Sequence, residues 1–106
     1  MIKDMDSYQD QAVETAVFKN EFYPIASLMV EAAELADLFV KPMLRGDSTS
    51  DGFRTKVVSE AGDVLWNLAV LLRQYGISLS EVAEVNLKKL ESRKLRGVLL
   101  GSGGDR

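Results

Sequence analysis

An all-α fold, a bundle of four helices, is predicted from this sequence on three observations. Apolar residues recur at helical spacing along most of the chain, and no alternating run extends beyond a few positions. Only two prolines and eight glycines interrupt the 106 residues, and Gly97, Gly101, Gly103 and Gly104 lie together near the end. Start and stop signals divide the periodic stretches into segments at about 6–19, 24–41, 52–75 and 78–95, with a glycine-rich tail at 96–106.

Each segment has its own local reason. The first is expected to start at Asp6, with Gln9 completing a capping box, and to run through Tyr8, Ala12, Thr15 and Ala16. The break is Asn20-Glu-Phe-Tyr, and Pro24 suits the first turn of the second helix, which Pro42 is expected to limit. Arg45 to Gly52 is a polar loop of turn formers. The third helix should stop at Gly76, a residue free to take the left-handed conformation that closes helices. For the fourth, Ser78 is the expected N-cap, Glu81 closes a capping box, and Ile77 can staple against Val82.

Composition narrows the function. A length of 106 residues is that of one domain, and its modest core makes self-association reasonable. The net charge of −3 leaves no broad basic surface for a nucleic-acid polymer. With no cysteine and no histidine, disulfides, thiolate chemistry, the usual zinc ligands and Ser-His arrangements are all excluded. No stretch approaches the length of a membrane span, and the first residues have no signal-peptide core, so a cytoplasmic location is expected.

Two helices carry acids where apolar residues belong. Glu60 falls within the stripe of Phe53, Val57, Val64, Leu68 and Leu71, and Asp63 stands beside it along the edge shared with Lys56, Asn67 and Gln74. On the second helix Glu31 falls between Leu28, Leu35 and Leu38, with Glu34 one turn further. A buried, unpaired carboxylate costs several kcal/mol or takes a proton. If the two faces meet, four like charges converge, and a hard divalent cation, Mg²⁺ or Mn²⁺, is the simplest remedy. A ferritin-like di-iron site requires Glu-x-x-His pairs, which this chain lacks.

The fourth helix holds Asn86, Lys89 and Arg93 on the face of Leu79, Val82 and Leu90. Alone, they are a polar flank whose long stems cover apolar surface. Beside a metal and four carboxylates they gain a use, since cations hold phosphates and an amide bonds sugar or base edges. Trp66 points away from the acidic face, toward the core or a subunit contact, and no P-loop or Rossmann glycine pattern is present.

Glu31-Ala-Ala-Glu34-Leu35, then Ser59-Glu60-Ala-Gly-Asp63-Val-Leu-Trp-Asn67, then Asn86-Leu-Lys-Lys89-Leu-Glu-Ser-Arg93, resemble the MazG-like nucleoside triphosphate pyrophosphohydrolases of the all-α NTP pyrophosphatase group. The likeness covers nearly the whole chain, including Tyr8-Gln9 to Ala16 in the first helix. It implies a four-helix MazG-like bundle assembled as a dimer or dimer of dimers, with sites completed across subunits. It also implies Mg²⁺-dependent hydrolysis of (d)NTPs to the monophosphate and pyrophosphate, a nucleotide house-cleaning activity. By the resemblance, Glu31, Glu34, Glu60 and Asp63 are the catalytic metal ligands, and Asn67, Asn86, Lys89 and Arg93 surround the nucleotide. The end of the chain departs from the family's G-x-G-D-x-R, because Gly104 stands where the Asp belongs and Asp105 follows. The rival function is a non-catalytic helical oligomer that binds nucleotide or a protein partner.

Overall fold

The computed structural model describes residues 2–18, 20–46 and 51–97; the glycine-rich end with Gly104, Asp105 and Arg106 lies outside the described residues. Within them the chain is all-α. Four helices follow one another: α1 (Met5–Glu14), α2 (Tyr23–Arg45), α3 (Phe53–Gln74) and α4 (Leu79–Arg96). α2 and α3 form an antiparallel hairpin. Phe39 meets Phe53 near the connection, Glu31 and Glu34 meet Glu60 midway, and Tyr23 joins Trp66 through Phe18 at the far end. α1 lies across α3, and α4 is attached to α1.

Pro42 does not end the second helix as expected. It sits inside the last turns of α2, which continues to Arg45 before Gly46, at φ 71°, closes it. A proline near a C-terminus removes one backbone donor from the ladder, and the remaining turn survives that single loss. The close of α3 follows expectation. Gly76 N–H bonds the Arg73 carbonyl and Ile77 N–H the Leu72 carbonyl, the paired bonds of a Schellman turn that needs the positive φ of Gly76.

The start of the chain is capped differently from the sequence expectation. Asp4 is the N-cap of α1, its Oδ1 accepting from Ser7 N–H at 2.7 Å. Asp6 and Gln9 are thereby released for longer-range work. The Gln9 side chain is 0% exposed and donates from Nε2 to the carbonyls of Ala69 and Ile77, both at 3.0 Å. Its Oε1 accepts from Leu79 N–H at 3.0 Å. Asp6 accepts from Ser80 N–H and Oγ, while Ser78 Oγ accepts from Glu81 N–H. The first amides of α4, which have no partner inside their own helix, are therefore served largely by α1.

The first helix also stops early, at Glu14 instead of near Lys19. Thr15 Oγ1 donates back to the Ala12 carbonyl and accepts from the Trp66 indole at 2.7 Å, which fixes the chain to α3 at that point. Around these bonds Ala12, Ala69 and Leu79 form the buried core, with Tyr8, Leu65, Trp66, Leu68 and Leu72 packed against it. That core is small. Beyond Leu79 no residue of α4 is buried, and Met29, Phe39, Met43 and Leu44 of α2 remain exposed.

Replacing Gln9 by Leu leaves buried backbone groups at the α1–α4 junction without partners, at about 1–3 kcal/mol each. Thermal melting of Gln9→Leu should fall by roughly 10 °C or more, given a shift of some 4–8 °C per kcal/mol for a domain of this size. Gln11→Leu, at an exposed position, should melt close to the parent.

Candidate metal centre

The α2–α3 hairpin brings the acidic residues together because Glu31 and Glu60 lie where the two helices face each other, with the exposed Glu34 and Asp63 one turn further along. Carboxylate oxygens of Glu31, Glu34 and Glu60 lie within 4.8 Å of one another, with Glu31 and Glu60 half-buried and Glu34 exposed. Asp63 follows one turn after Glu60, near enough for its charge to act on Glu31. Oε2 of Glu31 and Oε2 of Glu60 are shielded from solvent and lack hydrogen-bond partners among the described residues. The ion pairs Lys41–Asp37, Arg73–Asp10 and Lys88–Glu84 leave all four acids aside.

Burial pushes the Glu31 carboxyl above its ordinary value of 4.5, and the charges of Glu34, Asp63 and Glu60 push it the same way. Tyr8 of α1 shares this environment. Burial raises its phenol above the ordinary 10.0, and the Asp63 charge adds to the effect. A hard cation fits this donor set: the ligands are all oxygen, they converge, and two buried oxygens lack a positive partner. Nitrogen and sulfur donors are absent from the cluster, which disfavours zinc.

The remaining expected site residues lie elsewhere. Asn67 is 3% exposed behind Asp63, its Nδ2 donating to the Asp63 carbonyl at 2.8 Å and its buried Oδ1 unpartnered. Asn86 and Lys89 line a separate concavity of about 340 Å³ with Ile77, Glu81, Val82 and Val85. Arg93 sits further along α4, half-buried. α4 is attached through α1 at its first turn and makes no extensive contact with α2 or α3 among the described residues, so Asn86 and Lys89 line a concavity apart from the carboxylates. Sequence reasoning overlooked Tyr8 beside Asp63 and the Phe18–Tyr23 ring stack beside α2. The signal for Tyr8 was its place one turn before Ala12 on the buried face of α1.

The fold and site define an all-α protein with a convergent carboxylate cluster in its α2–α3 hairpin. Residues 23–97 match the MazG nucleotide pyrophosphohydrolase domain, and the chain belongs to that family. It is 39% identical to the gene 37 protein of Mycobacterium phage L5, covering 96% of this chain and 98% of the relative. It is also 32% identical to the uncharacterized protein YvdC of Bacillus subtilis (strain 168), covering 68% of this chain and 74% of that protein. No solved structure matches the chain at a significant level. No helix among the described residues is long and apolar enough to cross a membrane.

The Glu31 shift has a definite sign. An acid whose folded value is raised destabilises the metal-free fold while ionised. As pH falls from neutral through that raised value toward 4.5, the folded chain takes up the proton first and stability increases. Asp6 acts oppositely and lower: its hydrogen bonds from Ser80 hold it below 3.8, so the stability it contributes is lost in stronger acid. Melting of metal-free protein should therefore rise on mild acidification and then fall. Excess Mg²⁺ should raise the neutral-pH melting temperature and flatten the first limb. A metal-free melting curve that only declines on acidification would contradict the assigned surroundings of Glu31.

Proposed function

We propose that this protein hydrolyses (deoxy)nucleoside triphosphates to the monophosphate and pyrophosphate. The observation that carries the reading is the pair of buried, unpartnered carboxylate oxygens on Glu31 and Glu60, within a convergent acidic cluster. Membership of the pyrophosphohydrolase family supports the reaction class. Glu31, Glu34, Glu60 and Asp63 would hold Mg²⁺, with Mn²⁺ as a substitute. The bound cation would neutralise triphosphate charge and lower the pKa of a coordinated water.

The residues themselves supply position and proton acceptance. Water attacks the α-phosphorus, a new P–O bond forms, and the bond from that phosphorus to the bridging α–β oxygen breaks. Pyrophosphate departs, and the proton of the attacking water passes to a carboxylate of the cluster. Histidine is not required, because ionised carboxylates already stand where the proton must go. Asn67, one turn after Asp63, bonds back to the Asp63 backbone carbonyl and keeps a buried amide oxygen without a partner among the described residues.

Phosphate-binding cations complete the site from a second subunit in this reading. Lys89 and Arg93 lie on α4, which leaves its own hairpin uncovered, while α2 and α4 both expose apolar residues such as Met29, Val40, Val85 and Leu87. A homodimer, or a dimer of dimers, buries those faces and can place one protomer's α4 on its partner's carboxylate hairpin.

Incubation with each dNTP and Mg²⁺ should release pyrophosphate, and EDTA should stop it. Glu60→Gln should lower kcat/KM by about a thousandfold or more, since metal stabilisation of the transition state is worth several kcal/mol. The same variant should melt no lower than the parent without metal, having lost one repelling charge. Glu60→Gln mixed with an equal amount of Lys89→Ala/Arg93→Ala should regain about a quarter of the parental rate if dimers exchange at random and the site is shared. Well-folded protein that releases no pyrophosphate from any dNTP would favour a non-catalytic nucleotide-binding or protein-binding oligomer.

A further inference from the structure

A second concavity adjoins the carboxylates. It has a volume of about 340 Å³ and runs along α2, lined by Tyr23, Ala26, Ser27, Val30 and Glu31. These positions recur at helical spacing, so they form one face of the helix. One end is aromatic and the other is acidic. Tyr23 and Glu31 are about two turns apart, roughly 12 Å along the axis at 1.5 Å per residue.

The aromatic end is supported from behind. Phe18 stacks on Tyr23 with ring centroids 5.3 Å apart and planes 21° from parallel. Phe18 in turn meets Trp66 edge-on at 6.2 Å, and the Trp66 indole is tied to Thr15 Oγ1. Tyr23 is nevertheless 51% exposed. With one face taken by Phe18, the opposite face remains available to a flat ring. The side-chain hydroxyl of Ser27, half-buried in the same groove, makes no hydrogen bond to another described residue, leaving a donor and an acceptor open to a ligand.

We infer that this groove receives the base and sugar of the nucleotide, with Tyr23 as the stacking surface and Ser27 as a polar contact to the base or sugar edge. The inference rests on the hydrolase reading above and assigns its specificity site. A ligand whose phosphates are held through a cation at Glu31 would have its nucleoside end free to lie along α2, and the groove offers an apolar floor in Ala26 and Val30. Aromatic stacking accepts every base, so Tyr23 supplies affinity and Ser27 discrimination between bases.

Titration calorimetry with Mg²⁺ and two separate probes, a deoxynucleoside monophosphate and inorganic pyrophosphate, tests the assignment. Tyr23→Ala should weaken the monophosphate by about tenfold, the loss expected for one stacked base, and leave pyrophosphate unchanged. Tyr23→Phe should bind both like the parent. Ser27→Ala should change the ratio of KM values among dNTPs more than it changes kcat. Val30→Trp, which fills the groove from a position about two turns after Tyr23, should exclude the monophosphate and spare pyrophosphate. Equal loss of both probes in Tyr23→Ala, or no loss of either, would overturn the assignment. So would a smaller sedimenting species, because Tyr23 would then be a subunit contact. If the parent protein neither binds pyrophosphate nor hydrolyses any dNTP, the hydrolase reading itself fails. If it does both and Tyr23→Ala leaves every KM unchanged, only the groove assignment falls.

Discussion

Carboxylates of like charge pressed into the seam between two helices are the constraint on which the structure depends. Glu31 and Glu60 occupy positions where leucine or valine would pack better, and their inner oxygens meet no donor. Folding stability is the small difference between large opposing quantities, so such an arrangement survives selection for packing only if something else favours it. A ligand of opposite charge would relieve it. The α2–α3 hairpin is therefore both the main packing unit of the chain and the element strained by its own charge.

The remaining helices divide the work. α1 contributes little apolar area, yet it ties the far end of α3 to the first turn of α4 through Gln9, Asp6 and Thr15. Polar bonds of this kind specify geometry more than they add stability, because each replaces a bond to water. α4 leaves this junction with most of its surface uncovered. The core stays small, and several large apolar residues of α2 and α4 remain exposed among the described residues.

Much of this was legible in the residues, for physical reasons. The four helices announced themselves through period and punctuation, and the cluster was visible because an acid inside an apolar stripe conflicts with the pattern around it. Gln9 was misread as a local cap because a capping box and an interior amide look alike over four residues. Its true partners, Ala69, Ile77 and Leu79, lie far along the chain. Pro42 was misjudged because a proline's effect depends on how much helix remains after it. Lys89 and Arg93 were correctly placed on one helix, but periodicity describes a face and not what that face touches.

The junction between α1 and α4 has one consequence of its own. The amides of Leu79 and Ser80 are protected by side chains from the first ten residues, so α1 cannot fray or be clipped without uncapping a helix nearly seventy positions downstream. α1 and the start of α4 are coupled in this way, and Gln9 and Thr15 bind the same unit to the second half of α3. Trimming the beginning of this chain would consequently disturb a surface near its other end.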